Sequence, residues 1–392
     1  MDFFARMRYN GEKPPGCRAN GGEIMKQVRF GIIGMGVQGS LYASILTGRE
    51  HPGRGPLPRP EGCMELIYPS YYKVFECVAG ACPDCCCHEG DVQVDADSAA
   101  RYRGMEGDLG DALRAHLYEE DGETYLRNVA GRCPMWRTDG LCRIQAERGH
   151  DALCQVCRQF PRLRHDYGDF VELGLELSCP EAARLILQTP LKLVTETVPG
   201  GEEPEYDPDI MEILRESRPY ALALLEKGGY SLPERLRLLL MYGYHIQAVI
   251  DGAEPSEFDP DAALREAAQF AGPGDSAALA EYYAGLEVLT ERWREKLETL
   301  SAPDWEEGLC RVAQYGICRH WYQAVSDWDL CARVKMLLSG CALISRLTGP
   351  LGEKAQIWSK EIENSAENLD ALLDGAYSEP ALTDANLLGL LA

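Results

Sequence analysis

The chain has 392 residues, 45% of them hydrophobic, with 16 cysteines and a formal net charge of −23 at neutral pH. That is enough apolar material for two or three cores of ordinary domain size, while the acidic balance leaves no long basic face for a nucleic-acid partner. No stretch approaches the roughly 20 consecutive apolar residues of a membrane span and the first 25 residues lack the apolar middle of a secretory signal, so a cytoplasmic address without a membrane partner is expected, where thiols and metal sites outlast disulfides.

Residues 1–60 carry a net +5, leaving −28 for the remainder. Within them KQVRFGIIGMGVQGSLYASILT, residues 26–47, reads as a buried strand, a glycine turn and a helix, with Gly34, Gly36 and Gly39 in a GxGxxG pattern. Such glycines allow a tight turn and close approach to a pyrophosphate at the helix N-terminus. The segment resembles the opening of the glucose–fructose oxidoreductase and inositol dehydrogenase type of nicotinamide enzymes. It lacks a second strand and an acidic residue about 20 positions on, so it stands as a truncated Rossmann-like βα fragment. A nicotinamide-dependent oxidoreductase is accordingly the last of three functional readings. HPGRGPLPRPEG, residues 51–62, follows as a Pro/Gly-rich linker. Residues 1–62 are thus expected to form an N-terminal appendage.

Ten cysteines lie between Cys77 and Cys179. Cys77, Cys82, Cys85, Cys86 and Cys87 share one short segment, where vicinal thiols cannot easily form unstrained disulfides but can converge on a soft cation or cluster. Cys133 and Cys142 flank WRTDGL, whose Asp139 and Gly140 signal a hairpin-like turn. Cys154 and Cys157 are three apart in a short helix that Pro161 ends, so they share a face. Ser178 and Glu181 have capping-box spacing, which would put Cys179 in a first helical turn where the dipole favours a thiolate. An acidic stretch, PGGEEPEYDPD, residues 199–209, ends this region. From about Met211 the pattern is helical, with Leu222, Leu225, Leu236, Leu239 and Leu240 at three- and four-residue steps. Cys310, Cys318, Cys331 and Cys341 lie in helical sequence without pairing and read as core residues, while Cys17 and Cys63 carry no signal. The expected fold is mainly α: a small irregular cysteine-rich metal-binding domain with short strands over 63–198, then a helical domain over 199–392.

The blocks YPSYYKVFECVAGACPDCCC (68–87), GRCPMWRTDGLCRI (131–144) and LCQVCRQFPRLRHDYGDFVELGLELSCPEAARLIL (153–187) together resemble the flagellin lysine N-methylase family, which shares its cysteine framework with a broader group of zinc- or iron-chelating domains. The resemblance assigns metal ligation to Cys77, Cys82, Cys86, Cys87, Cys133, Cys142, Cys154, Cys157 and Cys179. Cys85 falls where the family more often has a small or polar residue, and the family's Trp after the paired cysteines is replaced here by HEGDVQVD from His88. The resemblance implies methyl transfer from S-adenosylmethionine to lysines of flagellin or a similar filament protein, with an iron–sulfur cluster, by preference four-iron, or alternatively zinc. The CxxxCxxC loop of radical enzymes is absent, because Glu89 occupies its third position.

Arg158 and Arg162, in CRQFPR, are candidates for the S-adenosylmethionine carboxylate, since guanidinium binds carboxylate bidentately. A neutral attacking lysine needs a base or a desolvated groove. Asp166, Tyr167, Asp169, Glu172 and Glu176 are the nearest ionisable residues, although an alternating strand would simply solvate them. His88 could replace a thiolate, while His116, His150 and His165 read as surface residues. Tyr242, Tyr244 and His245 read as an aromatic patch. A non-catalytic iron- or zinc-chelating module is the competing reading from a different class.

Overall fold

Strand propensity at Cys63–Pro69, CMELIYP, produces the first element of a sheet whose other members arrive only after a hundred residues. The computed structural model describes residues 62–87, 90–120 and 122–392. In chain order its elements are β1 (Cys63–Pro69), short 3-10 turns at Tyr72–Val74 and Ala79–Ala81, β2 (Val92–Gln93), α1 (Ala96–Gly104), α2 (Asp108–His116), β3 (Leu117–Glu120), β4 (Glu123–Leu126), α3 (Arg143–Arg148), α4 (Gln155–Gln159), β5 (Arg162–Asp166), β6 (Phe170–Leu175), α5 (Pro180–Gln188) and β7 (Leu193–Pro199). The helical half follows with α6 (Pro208–Leu225), α7 (Leu232–Ile250), α8 (Pro260–Phe270), α9 (Ser276–Ala284), α10 (Glu291–Leu297), α11 (Leu309–His320), α12 (Leu330–Ile344), α13 (Leu351–Ile362), α14 (Ala366–Gly375) and α15 (Asp384–Leu390). The fold is mainly α, as the sequence implies. None of the described helices is long and apolar enough to cross a membrane.

Two sheets bracket the cysteine segments. The larger has the order β5-β6-β1-β7, with β1 parallel to β6, Glu65 facing Phe170, and antiparallel to β7, Cys63 facing Pro199. The smaller, β2-β4-β3, is antiparallel. Beside it Val94, Tyr102, Leu109, Leu113, Leu126, Met135, Ile144 and Leu153 form a satellite core, and Cys133, Cys142 and Cys154 pack against or within it. These sulfurs therefore rest on an apolar floor rather than on free loops.

Local capping chemistry starts most of the later helices. Asp207, Ser231, Asp259, Asp275, Thr290, Asp329, Ser365 and Thr383 each accept backbone N–H bonds at a helix start, satisfying donors that have no partner within the helix. Ser231 and Glu234 complete a reciprocal capping box. Every residue of α12 is buried, so it is the axis on which its neighbours pack.

Polar contacts, rather than apolar packing alone, fix how these layers meet. Arg218 of α6 pairs with Glu172 of β6 at 2.6 Å and lies 3.6 Å from the Tyr322 ring centroid. Glu363, fully buried at the end of α13, accepts hydrogen bonds from Tyr315 (2.8 Å) and Ser359, and pairs with His320 (2.8 Å) and Arg319 (3.4 Å). Burial would raise the Glu363 carboxyl, but Arg319, His320 and Ser359 outweigh it and hold the group down at about 2. A carboxyl depressed on folding stabilises above its ordinary value of 4.5 and loses that contribution as pH falls towards 2.

Glu363→Gln is accordingly expected to cost about 3–5 kcal/mol at neutral pH, the usual consequence of breaking a buried ion pair. Urea denaturation followed by circular dichroism measures this. The gap between variant and parent should narrow as the pH is lowered from 4.5 towards 2.

Candidate metal centre

The tightest grouping of ligand atoms lies where the chain is locally irregular. The sulfurs of Cys85, Cys86 and Cys87 all fall within 4.8 Å of one another, the one such group of three among the described residues. Cys82 precedes them, its thiol donating to the Asp84 carbonyl at 3.2 Å, and the Ala79 amide donates to the Cys77 sulfur at 3.4 Å.

The second segment is docked onto this loop through its backbone. The Cys133 amide donates to the Cys87 carbonyl at 2.7 Å. Arg137 to Leu141 then turns the chain back, with a β-bridge between Trp136 and Cys142. Gly140 adopts φ +78°, and a Cβ there would sit 2.9 Å from the Gly80 Cα, while a Cβ on Gly80 would sit 2.8 Å from the Asp139 carbonyl oxygen. Two bare backbones thus cross at a distance that side chains would prevent.

Cys154 is the N-cap residue of α4 and Cys157 lies within that helix. Asp95 holds the helix start by accepting from the amides of Gln155 (2.7 Å) and Ser98 (3.0 Å). The Cys157 thiol hydrogen-bonds to Cys154 and lowers it to about 7; Cys157 itself is driven up by that bond, then by burial and by the neighbouring Cys154, Cys86 and Cys133. Cys133 rises to about 11 by burial and then by Cys142, Cys154 and Cys85. Cys86 rises to about 12, first through its bond with Cys85, and Cys87 is pushed up by its bonds to Cys85 and Cys86.

A third segment enters through Cys179. It is the buried N-cap residue of α5. Burial pushes its thiol to about 11 against the pull of the Ala182 and Glu181 amides, and Cys82 and Cys77 add to the rise. Of the nine cysteines implicated by sequence, Cys77 and Cys82 act on Cys179, Cys86 and Cys133 act on Cys157, and Cys133, Cys142 and Cys154 belong to or pack against the satellite core. Cys85, omitted from that set, belongs to the tightest group.

A protonated neighbour can ease the first ionisation, as Cys157 does for Cys154, but each thiolate formed raises the next, so the group resists ionising together. A bound cation reverses that relation and deprotonates its ligands. The donor set is all sulfur, which suits tetrahedral zinc or an iron–sulfur cluster.

Several other expectations meet a different environment. The capping box does not form: Ser178 bonds to Glu176 at 3.1 Å and Glu181 pairs with Arg184 at 2.6 Å, since Cys179 occupies the cap position. Asp166 pairs with Arg164, Asp169 accepts from Tyr206, and Glu172 is tied to Arg218. Tyr167 stacks on Phe170. Burial raises the Glu176 carboxyl, partly offset by Arg319. All five have structural partners. Arg162 lies over the Phe75 ring at 5.1 Å and donates to its carbonyl at 3.4 Å, whereas Arg158 is exposed on α4.

His165 is half-buried rather than superficial. Burial pulls its pKa to about 4, and Nε2 has no hydrogen-bond partner among the described residues. It lines a cavity of about 30 Å³ with Tyr71, Tyr315 and Arg319, space for a single water. Tyr242 and His245 stack within a cluster containing Phe258 and Trp321. Cys310, Cys331 and Cys341 are buried in α11 and α12, with Cys318 partly buried in α11. His88, Cys17 and residues 26–47 lie outside the described residues.

Exposed apolar side chains are concentrated in the cysteine-rich part of the chain. Val74, Val78, Val129, Leu141 and Val156 supply five of the seven exposed large hydrophobic side chains among the described residues.

Comparison with curated proteins gives 31% identity over 138 residues to the flagellar biosynthetic protein FliU of Salmonella muenchen, covering 32% of this chain and 79% of that protein. Lysine-N-methylases of Salmonella typhimurium and Salmonella choleraesuis are each 31% identical over 134 residues, covering 32% of this chain and 33% of theirs. The chain thus spans about a third of the length of those two relatives. No family model and no solved structure matches significantly. The nicotinamide-enzyme likeness of residues 26–47 is not borne out, since these relatives point to a different family.

Gly140→Ala should separate the two crossing loops. A left-handed alanine costs about 1–2 kcal/mol, and the added methyl meets Gly80 besides. The expected result, read by thermal unfolding and by metal content after anaerobic loading, is a modest fall in stability with a disproportionate loss of bound metal.

Proposed function

The chain belongs to the flagellin lysine N-methylase family, and on that premise we propose that it is a lysine N-methyltransferase modifying flagellin or a similar filament subunit, with S-adenosylmethionine as methyl donor. The observation that carries this reading is the shared stretch with the curated lysine-N-methylases. The sulfur grouping at Cys85, Cys86 and Cys87 supports a metal or iron–sulfur centre as its companion. All fifteen described cysteines are free thiols, in keeping with the proposed cytoplasmic setting.

Cys77, Cys82, Cys86, Cys87, Cys133, Cys142, Cys154, Cys157 and Cys179, with Cys85, would hold the centre, and bound there it would keep the thiols ionised together and lock the three segments. A four-iron cluster is preferred to zinc on the strength of the family resemblance. The cysteine-rich part, 63–198, would provide the centre and the exposed apolar side chains, and 199–392 the helical support.

Methyl transfer places its demands on the substrate nitrogen. The lysine must shed a proton so that its lone pair can attack the methyl carbon as the carbon–sulfur bond breaks, releasing a neutral thioether. None of the five carboxyl and phenol groups after the FPR motif is free of a structural partner, so desolvation of the lysine against those apolar side chains is the favoured means of lowering its pKa. Arg158 and Arg162 remain the proposed contacts for the donor's carboxylate. They line neither the small cavity at His165 nor the larger one of about 450 Å³ at Tyr282 and Glu379.

Incubating the metal-loaded protein with cognate flagellin and S-adenosylmethionine should add methyl-sized mass increments to flagellin lysines, detected by peptide mass spectrometry. Unchanged flagellin, with no binding of S-adenosylmethionine, would favour the chelating module instead.

A further inference from the structure

The 82–87 loop is short, irregular and bent around three adjacent sulfurs, and its backbone alone does not determine its shape. One residue within it is gripped from far away in sequence. The Asp84 carboxylate accepts a hydrogen bond from Gln356 Nε2 at 2.8 Å, and Lys360 Nζ lies 3.2 and 3.3 Å from its two oxygens. Both partners belong to α13, one helical turn apart, which places them on the same face. The same Gln356 nitrogen also donates to the Ser178 carbonyl at 2.7 Å. A side-chain amide has two N–H groups, and here one holds the cysteine loop while the other holds the residue before Cys179.

We propose that Asp84 is a positioning residue for the metal centre, and that Gln356 and Lys360 of α13 form the clamp that sets the Cys82–Cys87 loop and Cys179 at a common spacing. The proposal rests on the metal-centre reading above and adds a role for the helical half that the cysteine pattern does not contain.

Three features separate this contact from an ordinary surface ion pair. Gln356 is buried, and Lys360 and Asp84 retain only 15% and 20% side-chain exposure. Asp84 also uses its backbone carbonyl to accept from Cys82, so the residue that receives the clamp is itself bonded to a candidate ligand. Finally, the C-terminal part of α13 that carries the clamp is itself anchored: Ser359 donates to Glu363, and Glu363, just past the helix, bonds to Tyr315 and His320 of α11. The anchor and the clamp are interleaved within two turns, so a helix fixed on α11 presents Gln356 and Lys360 at a fixed position. Outer contacts that orient ligands commonly change metal affinity by about 10–100-fold when removed.

The test uses the full chain, loaded anaerobically with ferrous iron and sulfide or separately with zinc, and compares the parent with Gln356→Leu, Lys360→Met and Asp84→Asn. Lys335→Met, in α12, serves as a control for general destabilisation of the helical half. The readouts are the rate of metal loss to EDTA, the thermal midpoint, and iodoacetamide labelling of Cys85, Cys86 and Cys87 in metal-free protein. Gln356→Leu and Lys360→Met should lose metal about 10–100-fold faster than the parent, and faster than a control of equal thermal midpoint. Asp84→Asn, which keeps an oxygen for Gln356, should fall between. If Lys360→Met does not fold, Lys360→Arg, which keeps a cation for Asp84 and leaves the Gln356 bond in place, should retain the slow release. Parent-like release from folded clamp variants would overturn the proposal while leaving the metal centre intact. A parent that loads neither metal would instead overturn the metal-centre reading; labelling would still judge the clamp, with unchanged thiol reactivity in the variants counting against it.

Discussion

Mutual repulsion among clustered thiolates is the constraint to which the cysteine-rich half answers. Thiols held as closely as those of Cys85, Cys86 and Cys87 resist ionising together, and only a shared cation makes the charged set favourable. Such a grouping must be prepared by contacts other than the metal, or the loops would simply spread. The Cys133–Cys87 backbone bond and the crossing of Gly80 with Gly140 provide that preparation. Asp95 completes it by fixing the start of the helix that carries Cys157.

The helical half contributes stiffness of a different kind. Its interior joins apolar packing around α12 to a few fully buried polar centres, above all Glu363. Such centres contribute little net stability compared with apolar replacements, yet they are costly to break singly. Their geometric value lies in register: α11 and α13 cannot slide without separating Glu363 from Tyr315 and His320. The same α13 reaches Asp84, so the order of the helical layers bears on the cysteine loop.

How much of this was legible in the sequence depended on the range of the interactions involved. The turn at Asp139 and Gly140 and the shared face of Cys154 and Cys157 are set by neighbours in the chain, and both appear as expected. The helical character from Met211 onward is likewise local, written in repeated apolar steps. The capping box at Ser178 failed because the cap position fell one residue later, on Cys179, and Ser178 turned to Glu176. The sheet pairing of β1 with β6 and β7 spans more than a hundred residues and leaves no periodic trace. Asp84, Gln356 and Lys360 are ordinary polar residues in sequence, so their meeting was visible only in three dimensions. Cys85 shares the clustered segment that marks its neighbours as ligands, but the family resemblance sets it apart, and only the sulfur positions place it in the tightest group.

Binding of one inorganic centre by these sulfurs is the property from which the rest follows. Its most direct measurement is metal and sulfide analysis of the full chain purified without oxygen, combined with X-ray absorption at the edge of the metal found. The result expected is bound iron with sulfide, or zinc, in a shell dominated by sulfur. A metal-free protein whose loop thiols all react freely, and which takes up neither iron nor zinc with sulfur ligation on reconstitution, would contradict it.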